Sequence, residues 1–145
     1  MSKNLSELSG RKGLADNLFE ELGIAARQTG TPSRDDMERL TEELSKPRYV
    51  PRPIMLGANT DPYQPLEKRL RVTRSILEVL AKCRHPVSIV TKGALIERDL
   101  DILVPMAAQN LVSVMVSLTT LDADLKRRLE PRAASPLARL AVIRS

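Results

Sequence analysis

Three short apolar runs recur along the chain, and each of them ends abruptly in small polar or charged residues. They cover residues 53–61, 86–92 and 111–120, and apolar residues at helical spacing lie between them. Strands that alternate with helices predict a parallel sheet, and ligands of such sheets bind beyond the carboxyl ends of the strands. We therefore expect an α/β fold of about three βα units, with its functional residues in the polar tails.

The first 44 residues carry two amphipathic helical patterns. The first pattern, over residues 12–26, places four apolar residues on one face: Leu14, Leu18, Phe19 and Leu22. Thr31 or Ser33 is suited to cap a second helix, whose apolar stripe is Met37, Leu40 and Leu44. The two patterns predict an N-terminal helical hairpin over 1–44. Three prolines between residues 45 and 53 then mark a boundary with the α/β part at 45–145.

Helical spacing in the α/β part predicts helices over 66–82, 94–108 and 121–129, and a last helix that starts at Ser135-Pro136. Pro105 is expected to end or bend the second of these helices. The cations of the first helix form either an ordinary solvated face or a patch that meets phosphates. His85 precedes the second strand, at the end away from the expected site, which favours a structural role.

Charge is distributed unevenly along the chain. Residues 1–44 carry six basic and nine acidic side chains, a net charge of −3, whereas residues 45–145 carry seventeen and nine, a net charge of +8. A basic part favours anionic ligands, nucleic acid among them. However, the chain has no Trp, one Phe and two Tyr, which is too few for a platform that stacks single-stranded bases.

Composition also bears on location and on metal binding. No apolar run approaches the roughly 20 residues that span a bilayer, and the N-terminus lacks the apolar core of a signal peptide, so we expect a cytoplasmic protein with no membrane partner. Cys83 is the only cysteine. It excludes an internal disulfide and any metal site that needs several thiols from one chain.

The polar tails offer groups that bind an amine, a carboxylate and hydroxyls. The residues are Asn59, Thr60 and Asp61, then Thr91 and Lys92, then Ser117, Thr119 and Thr120. Asp61 and Lys92 are either an acid and base pair or a structural pair in which the carboxylate caps backbone amides. The chain shows no catalytic triad, no His or Cys cluster and no glycine-rich phosphate loop. We therefore assign no catalytic residue and no metal ligand.

Four ordered motifs carry a resemblance to a known family. They are PRPIMLGANTDPYQPLE at 51–67, RHPVSIVTK at 84–92, VSLTTLD at 116–122 and LEPRAA at 129–134. Residues 42–144 resemble the middle of a radical S-adenosylmethionine (radical SAM) protein, and within that superfamily the spore photoproduct lyase-like group, often labelled DNA repair photolyases.

The resemblance implies a partial (βα) barrel in which a 4Fe-4S cluster cleaves S-adenosylmethionine to a 5′-deoxyadenosyl radical, as in lyases of this group. It assigns the methionyl amino group to Asn59, Thr60 and Asp61, the methionyl carboxylate to Lys92, and the ribose to Ser117. The Glu-Pro-Arg element is implied to bring Arg132 to the same rim. These six residues form the predicted cofactor-binding set.

The chain departs from this family at the cluster. Members carry a Cys-x3-Cys-x2-Cys loop after their first strand, because three thiolates must hold the cluster and leave one iron open. An acidic helical hairpin is expected here instead, later barrel strands are missing, and Cys83 alone cannot replace three thiolates. We predict a truncated or rearranged relative that keeps part of the S-adenosylmethionine rim, binds that cofactor weakly, and neither assembles the iron-sulfur cluster nor performs radical chemistry alone.

Two other functions stay open. The first is a non-catalytic scaffold whose basic helix faces contact nucleic acid or an acidic protein partner. The second is a chain that docks on another subunit through the face of Leu18, Phe19 and Leu22. A partial barrel also has unpaired strand edges, so we expect a homo-oligomer or a partner subunit that covers them.

Overall fold

The computed structural model describes residues 33–145, which form a mixed α/β fold around a three-stranded parallel sheet in the order β1-β2-β3. The strands are β1 (Ile54–Leu56), β2 (Val87–Thr91) and β3 (Val112–Val116). The α-helices are α1 (Arg34–Leu44), α2 (Glu67–Leu70), α3 (Val72–Lys82), α4 (Leu100–Ala107), α5 (Ala123–Leu129) and α6 (Pro136–Arg144), and a 3-10 helix covers Ala94–Asp99. The predicted helix over 12–26 lies outside the described residues.

The sheet confirms the parallel arrangement that the apolar runs predict. Ile54 pairs with Val87, and Val87 pairs with Val112, so that the three strands begin at one edge and end at the other. Side chains alternate between the two faces, and the face of β1 and β2 that holds Leu56 and Ile89 is almost fully buried. The helices cover this face, whereas Met55 on the opposite face is half exposed.

The core is completed by the helices α1 and α3. Ile76, Leu77 and Leu80 repeat at helical spacing along α3 and are completely buried in the cluster that contains the strand residues. Ser33 caps α1 by accepting a hydrogen bond from Asp36, while the Asp36 carboxylate accepts from the Ser33 backbone, which forms a capping box. The second helix of the predicted hairpin is thus confirmed.

Two of the predicted helices differ from the single rods that the periodicity indicates. The segment 66–82 divides at Arg71, whose φ of 52° is left-handed and separates α2 from α3. The segment 94–108 starts as a 3-10 helix and becomes α-helical at Leu100. Pro105 lies inside α4, which ends two residues later at Ala107, as the loss of a backbone donor favours.

The C-terminal segments form two short capped helices. The Asp122 carboxylate caps α5, and Ser135 caps α6, with Pro136 as the first helical residue, as predicted. Helix α6 packs against the 3-10 helix and β3. Within residues 33–145, no helix is both long enough and apolar enough to cross a bilayer.

Candidate functional site

Asp61 connects the carboxyl ends of β1 and β2. One carboxylate oxygen accepts from the Thr91 hydroxyl at 2.7 Å and from the Tyr63 backbone N–H at 2.8 Å. The other oxygen accepts from the Lys92 backbone N–H at 2.7 Å. Three donors from two chain segments therefore fix this side chain, and it in turn fixes the start of the loop after β2.

Two glycines allow the segments around Asp61 to approach closely. Gly57 follows β1 directly with a φ of 108°, and a Cβ there would lie 2.1 Å from the Val90 carbonyl oxygen. Gly93 follows Lys92, and a Cβ at this position would lie 2.9 Å from the Tyr63 backbone oxygen. No larger residue fits at either position without movement of the backbone.

Glu130 is the centre of a second cluster, between the ends of β2 and β3. It accepts from Lys92 Nζ at 2.5 Å, from the Thr119 hydroxyl at 2.9 Å and from Arg139 Nη2 at 2.7 Å. Hydrogen bonds from the Lys92 ammonium and the Arg139 guanidinium lower the pKa of Glu130 to about 2. The carboxylate is therefore ionised throughout the physiological range.

Arg139 links this carboxylate to β3 from helix α6. Its guanidinium is buried and donates to the Ser117 carbonyl at 2.8 Å and to the Ala134 carbonyl at 3.0 Å. The Ala134 N–H also donates to the Lys92 carbonyl. Since a buried guanidinium needs several acceptors, this arrangement determines where the 130–134 turn lies relative to the strand ends.

The six predicted site residues fall into three groups. Asp61 and Lys92 are hydrogen-bonded in the rim, and Ser117 joins it through its backbone carbonyl. Thr60 is half-buried beside Asp61. Asn59 and Arg132 are exposed, Asn59 in the loop after β1 and Arg132 in the turn after α5. The structure brings the carboxyl ends of the three strands to one rim, which is the juxtaposition that the polar tails predict.

The side chains of Asp61 and Lys92 do not pair with each other. Asp61 binds the Lys92 backbone, whereas the Lys92 ammonium binds Glu130. The geometry favours the structural alternative for Asp61, a strand-end carboxylate that caps backbone amides. The Lys92 ammonium, which was a candidate partner for the Asp61 carboxylate, pairs instead with Glu130 in the turn after α5.

Glu130 and Arg139 are rim residues that the sequence alone did not single out, whereas Thr91 was among the expected groups. A signal for Glu130 existed in the Glu-Pro-Arg element, of which only Arg132 entered the predicted set. Arg139 lies four residues into a short helix that follows Ser135. The apolar pattern of that helix gave no indication that this charged side chain would be buried.

A separate ionic cluster lies on the helical side of the fold. Arg74 donates to Asp99 at 3.0 Å and to Asp101 at 2.7 Å, and Arg98 donates to Glu67 at 2.9 Å and to Asp99 at 2.7 Å. Asp99 is fully buried, and these hydrogen bonds raise the pKa of both arginines. Arg74 is one of the cations of the predicted helix over 66–82. Because its guanidinium pairs with Asp99 and Asp101, it has a structural role and is neither a free solvated cation nor a phosphate-facing one.

His85 and Cys83 lie at the amino end of β2, away from the rim. His85 is buried, and its Nδ1 donates to the Pro86 carbonyl at 2.9 Å, so its Nε2 accepts from the Tyr49 hydroxyl at 2.8 Å. Burial lowers the pKa of His85. The structural role expected for this histidine agrees with that environment. Cys83 ends α3 and is half-buried.

The side chains described in residues 33–145 include no cluster of His, Cys, Asp or Glu that could hold a metal ion. Cys83, the only cysteine of the sequence, is separated from the rim by the whole length of β2, which is about 17 Å for five residues. The residues present do not fit an iron-sulfur cluster.

Known proteins resemble about seven tenths of the chain. A protein of Mycobacterium tuberculosis is 43% identical over 104 residues, which are 72% of this chain and 31% of that protein. Proteins of Acidianus two-tailed virus and Methanocaldococcus jannaschii are 34% and 28% identical over 97 and 103 residues. All three are named only as uncharacterized proteins. The chain spans about a third of the length of these curated relatives. No family model and no solved structure matches it.

Proposed function

We propose that residues 45–145 are part of a partial (βα) barrel of the radical S-adenosylmethionine superfamily, from its spore photoproduct lyase-like group, and that their rim binds S-adenosylmethionine. One observation carries the proposal. Asp61, Lys92 and Ser117 follow three neighbouring parallel strands and belong to one connected set of hydrogen bonds. Ligands of parallel βα folds bind at this end of the strands.

The rim offers suitable groups for the polar parts of this ligand. Lys92 carries the charge that a methionyl carboxylate requires, and its side chain is 44% exposed, so a ligand can reach it. Asp61 and the neighbouring Asn59 and Thr60 present oxygens for the amino group. The Ser117 hydroxyl is suited to a ribose hydroxyl, and the exposed Arg132 adds a second cation at the same end.

The cluster that performs the radical chemistry of this superfamily is not part of the proposal for this chain. Three thiolates are needed to hold it, and the sequence provides one, at the opposite end of β2. We therefore propose ligand binding without radical chemistry for this chain by itself. Stoichiometric iron and sulfide in the purified, reconstituted chain would contradict that part.

Calorimetric titration of the full 145-residue chain with S-adenosylmethionine tests the binding. We expect weak binding that falls at least about tenfold in Lys92→Ala, because an ammonium-carboxylate contact is lost. Lys82→Ala is the matched control, since Lys82 is an exposed lysine at the far end of α3. Binding that is absent, or equal in the two variants, would contradict the proposal.

A basic scaffold is the second candidate, and the charge distribution favours it. Residues 45–145 carry a net charge of +8, and exposed cations cluster on α2 and on α5, namely Lys68, Arg69, Arg127 and Arg128. Such a module would bind DNA or an acidic protein with a steep dependence on salt. Fluorescence polarisation with a labelled DNA duplex at several salt concentrations separates the two functions, because Lys92→Ala would leave scaffold binding nearly unchanged.

A further inference from the structure

Exposed apolar side chains are concentrated in the C-terminal part of the described chain. Among residues 33–145, eight of the eleven large apolar side chains that are exposed lie between Val104 and Ile143. On β3 itself, Val114 is 40% exposed and Met115 is 48% exposed. Val104, Val114 and Ile143 of this set line one groove, and contiguous apolar surface marks an interaction site more often than an ordinary solvated face.

The outer edge of β3 is unpaired in the part of the chain that the structure describes. The Ser117 N–H donates to Thr91 and the Leu111 carbonyl accepts from Val87, so the odd-numbered residues of this segment direct their backbone groups toward β2. The even-numbered residues Val112, Val114 and Val116 therefore direct their N–H and C=O groups outward.

The two edges of the sheet differ in how well their sequences protect them against the addition of another strand. The β1 edge has three residues and is preceded by Pro51, Arg52 and Pro53, which discourage the addition of another strand. The β3 edge has five residues within a segment, 111–121, that contains no charge, no proline and no glycine. Strand addition is therefore favoured at β3.

An apolar groove of about 540 Å³ lies beside this edge, on the helical face of the sheet. It is formed by Leu100 and Val104 of α4, Val114 of β3, and Val142 and Ile143 of α6. The groove and the open edge are continuous, because Val114 contributes its side chain to the groove and its backbone to the edge. An occupant of this surface would thus supply both a strand and apolar side chains.

We propose that this occupant is a second copy of the chain, joined by antiparallel pairing of the two β3 strands about a two-fold axis at Val114. In this register Val114 exchanges both hydrogen bonds with its copy, and Val112 lies opposite the partner's Val116. The three valines of each copy form one apolar row on the helical face. No like charges meet at the axis, and a six-stranded sheet results.

Sedimentation velocity of the full chain over a range of concentrations tests this interface. The wild-type chain is expected to sediment as a dimer of 16.1 kDa subunits. Val114→Pro removes the outward N–H but leaves the ladder to β2 intact, because Val114 does not donate to β2. We expect its dimer dissociation constant to rise at least about 30-fold, since both reciprocal hydrogen bonds are lost.

Val114→Thr is the matched control, because it keeps the N–H and the β-branched shape; its dissociation constant should stay near that of the wild type. Hydrogen exchange of the wild-type chain gives a measurement that needs no variant. The amides of Val112, Val114 and Val116 should gain protection as the concentration rises. A monomer at about 100 µM, a dimer that survives Val114→Pro, or amides whose exchange is independent of concentration would overturn the proposal.

Discussion

Replacement of Glu130 by glutamine tests whether one carboxylate holds the rim together. Glutamine keeps the shape of the side chain and one acceptor oxygen, but it removes the charge and places an NH₂ group opposite a donor. Of the partners of Glu130, Arg139 loses the most favourable interaction. The Arg139 residue is only 1% exposed, so water cannot replace the lost acceptor.

The magnitude follows from the burial of the two cationic partners. The Lys92 side chain is 44% exposed, so its pair with Glu130 contributes at most about 1 kcal/mol. The hydrogen bond from Arg139 is buried and charge-assisted, and its loss costs about 1.5–3 kcal/mol. We therefore expect Glu130→Gln to lower the free energy of unfolding by about 1.5–4 kcal/mol, most of it through Arg139.

Urea denaturation followed by circular dichroism measures this difference. Because Lys92 and Arg139 lower the pKa of Glu130 to about 2, below its value in the unfolded chain, the carboxylate stabilises the fold fully above about pH 4.5 and loses that contribution as the pH falls toward 2. The gap between the wild type and Glu130→Gln should therefore narrow through this window.

Asp124→Asn is the control for the loss of a carboxylate. Its side chain is 77% exposed and its partner Arg127 is 70% exposed, so the substitution should cost less than about 0.5 kcal/mol. A cost below about 1 kcal/mol for Glu130→Gln at pH 7, or a gap that does not change with pH, would refute the reasoning.

Three further predictions concern the strand ends and the buried His85. Asp61→Ala leaves three donors without their acceptor and should cost about 2–4 kcal/mol in urea denaturation, against little for Asp124→Ala. Gly57→Ala should lower the melting temperature markedly, because its Cβ would meet the Val90 carbonyl; an unchanged melting curve would show that the backbone relaxes freely. His85 is the only histidine, so its ring titrates unambiguously by NMR, with an expected midpoint below 6.5 and a stability that declines as the pH falls below that value.

The sheet and the position of the rim were predictable from local sequence. Val, Ile and Met runs bounded by polar residues are typical of buried strands, and Ser33 and Ser135 are sound helix caps. Once the strands are parallel, their carboxyl ends must meet at one edge, so Asp61, Lys92 and Ser117 lie at the same end without any tertiary information.

The partners of these residues were not predictable in the same way. Glu130 reaches Lys92 across 38 positions of sequence, and Arg139 reaches Glu130 from helix α6. Charged residues on short helices are usually exposed, whereas Arg139 is buried in the assembled fold and donates to the Ser117 and Ala134 carbonyls and to the Glu130 carboxylate. The break at Arg71 also escapes periodicity, because α2 and α3 keep nearly the same apolar spacing across it.

The charged side chains of the rim are already hydrogen-bonded to other groups of the rim, and this limits how strongly a ligand can bind there. A carboxylate ligand has to share the Lys92 ammonium with Glu130, which accepts from one of its three N–H donors, and Asp61 already accepts three hydrogen bonds before an amino group arrives. Because Glu130 already neutralises much of the charge of this half-exposed lysine, the affinity for S-adenosylmethionine that the proposed function implies is expected to be weak and sensitive to salt. Stability and ligand binding consequently compete for Lys92. If a ligand draws the Lys92 ammonium away from Glu130, Arg139 is the cation that still binds this carboxylate. The buried arginine, rather than the half-exposed lysine, therefore maintains the rim both with and without a ligand.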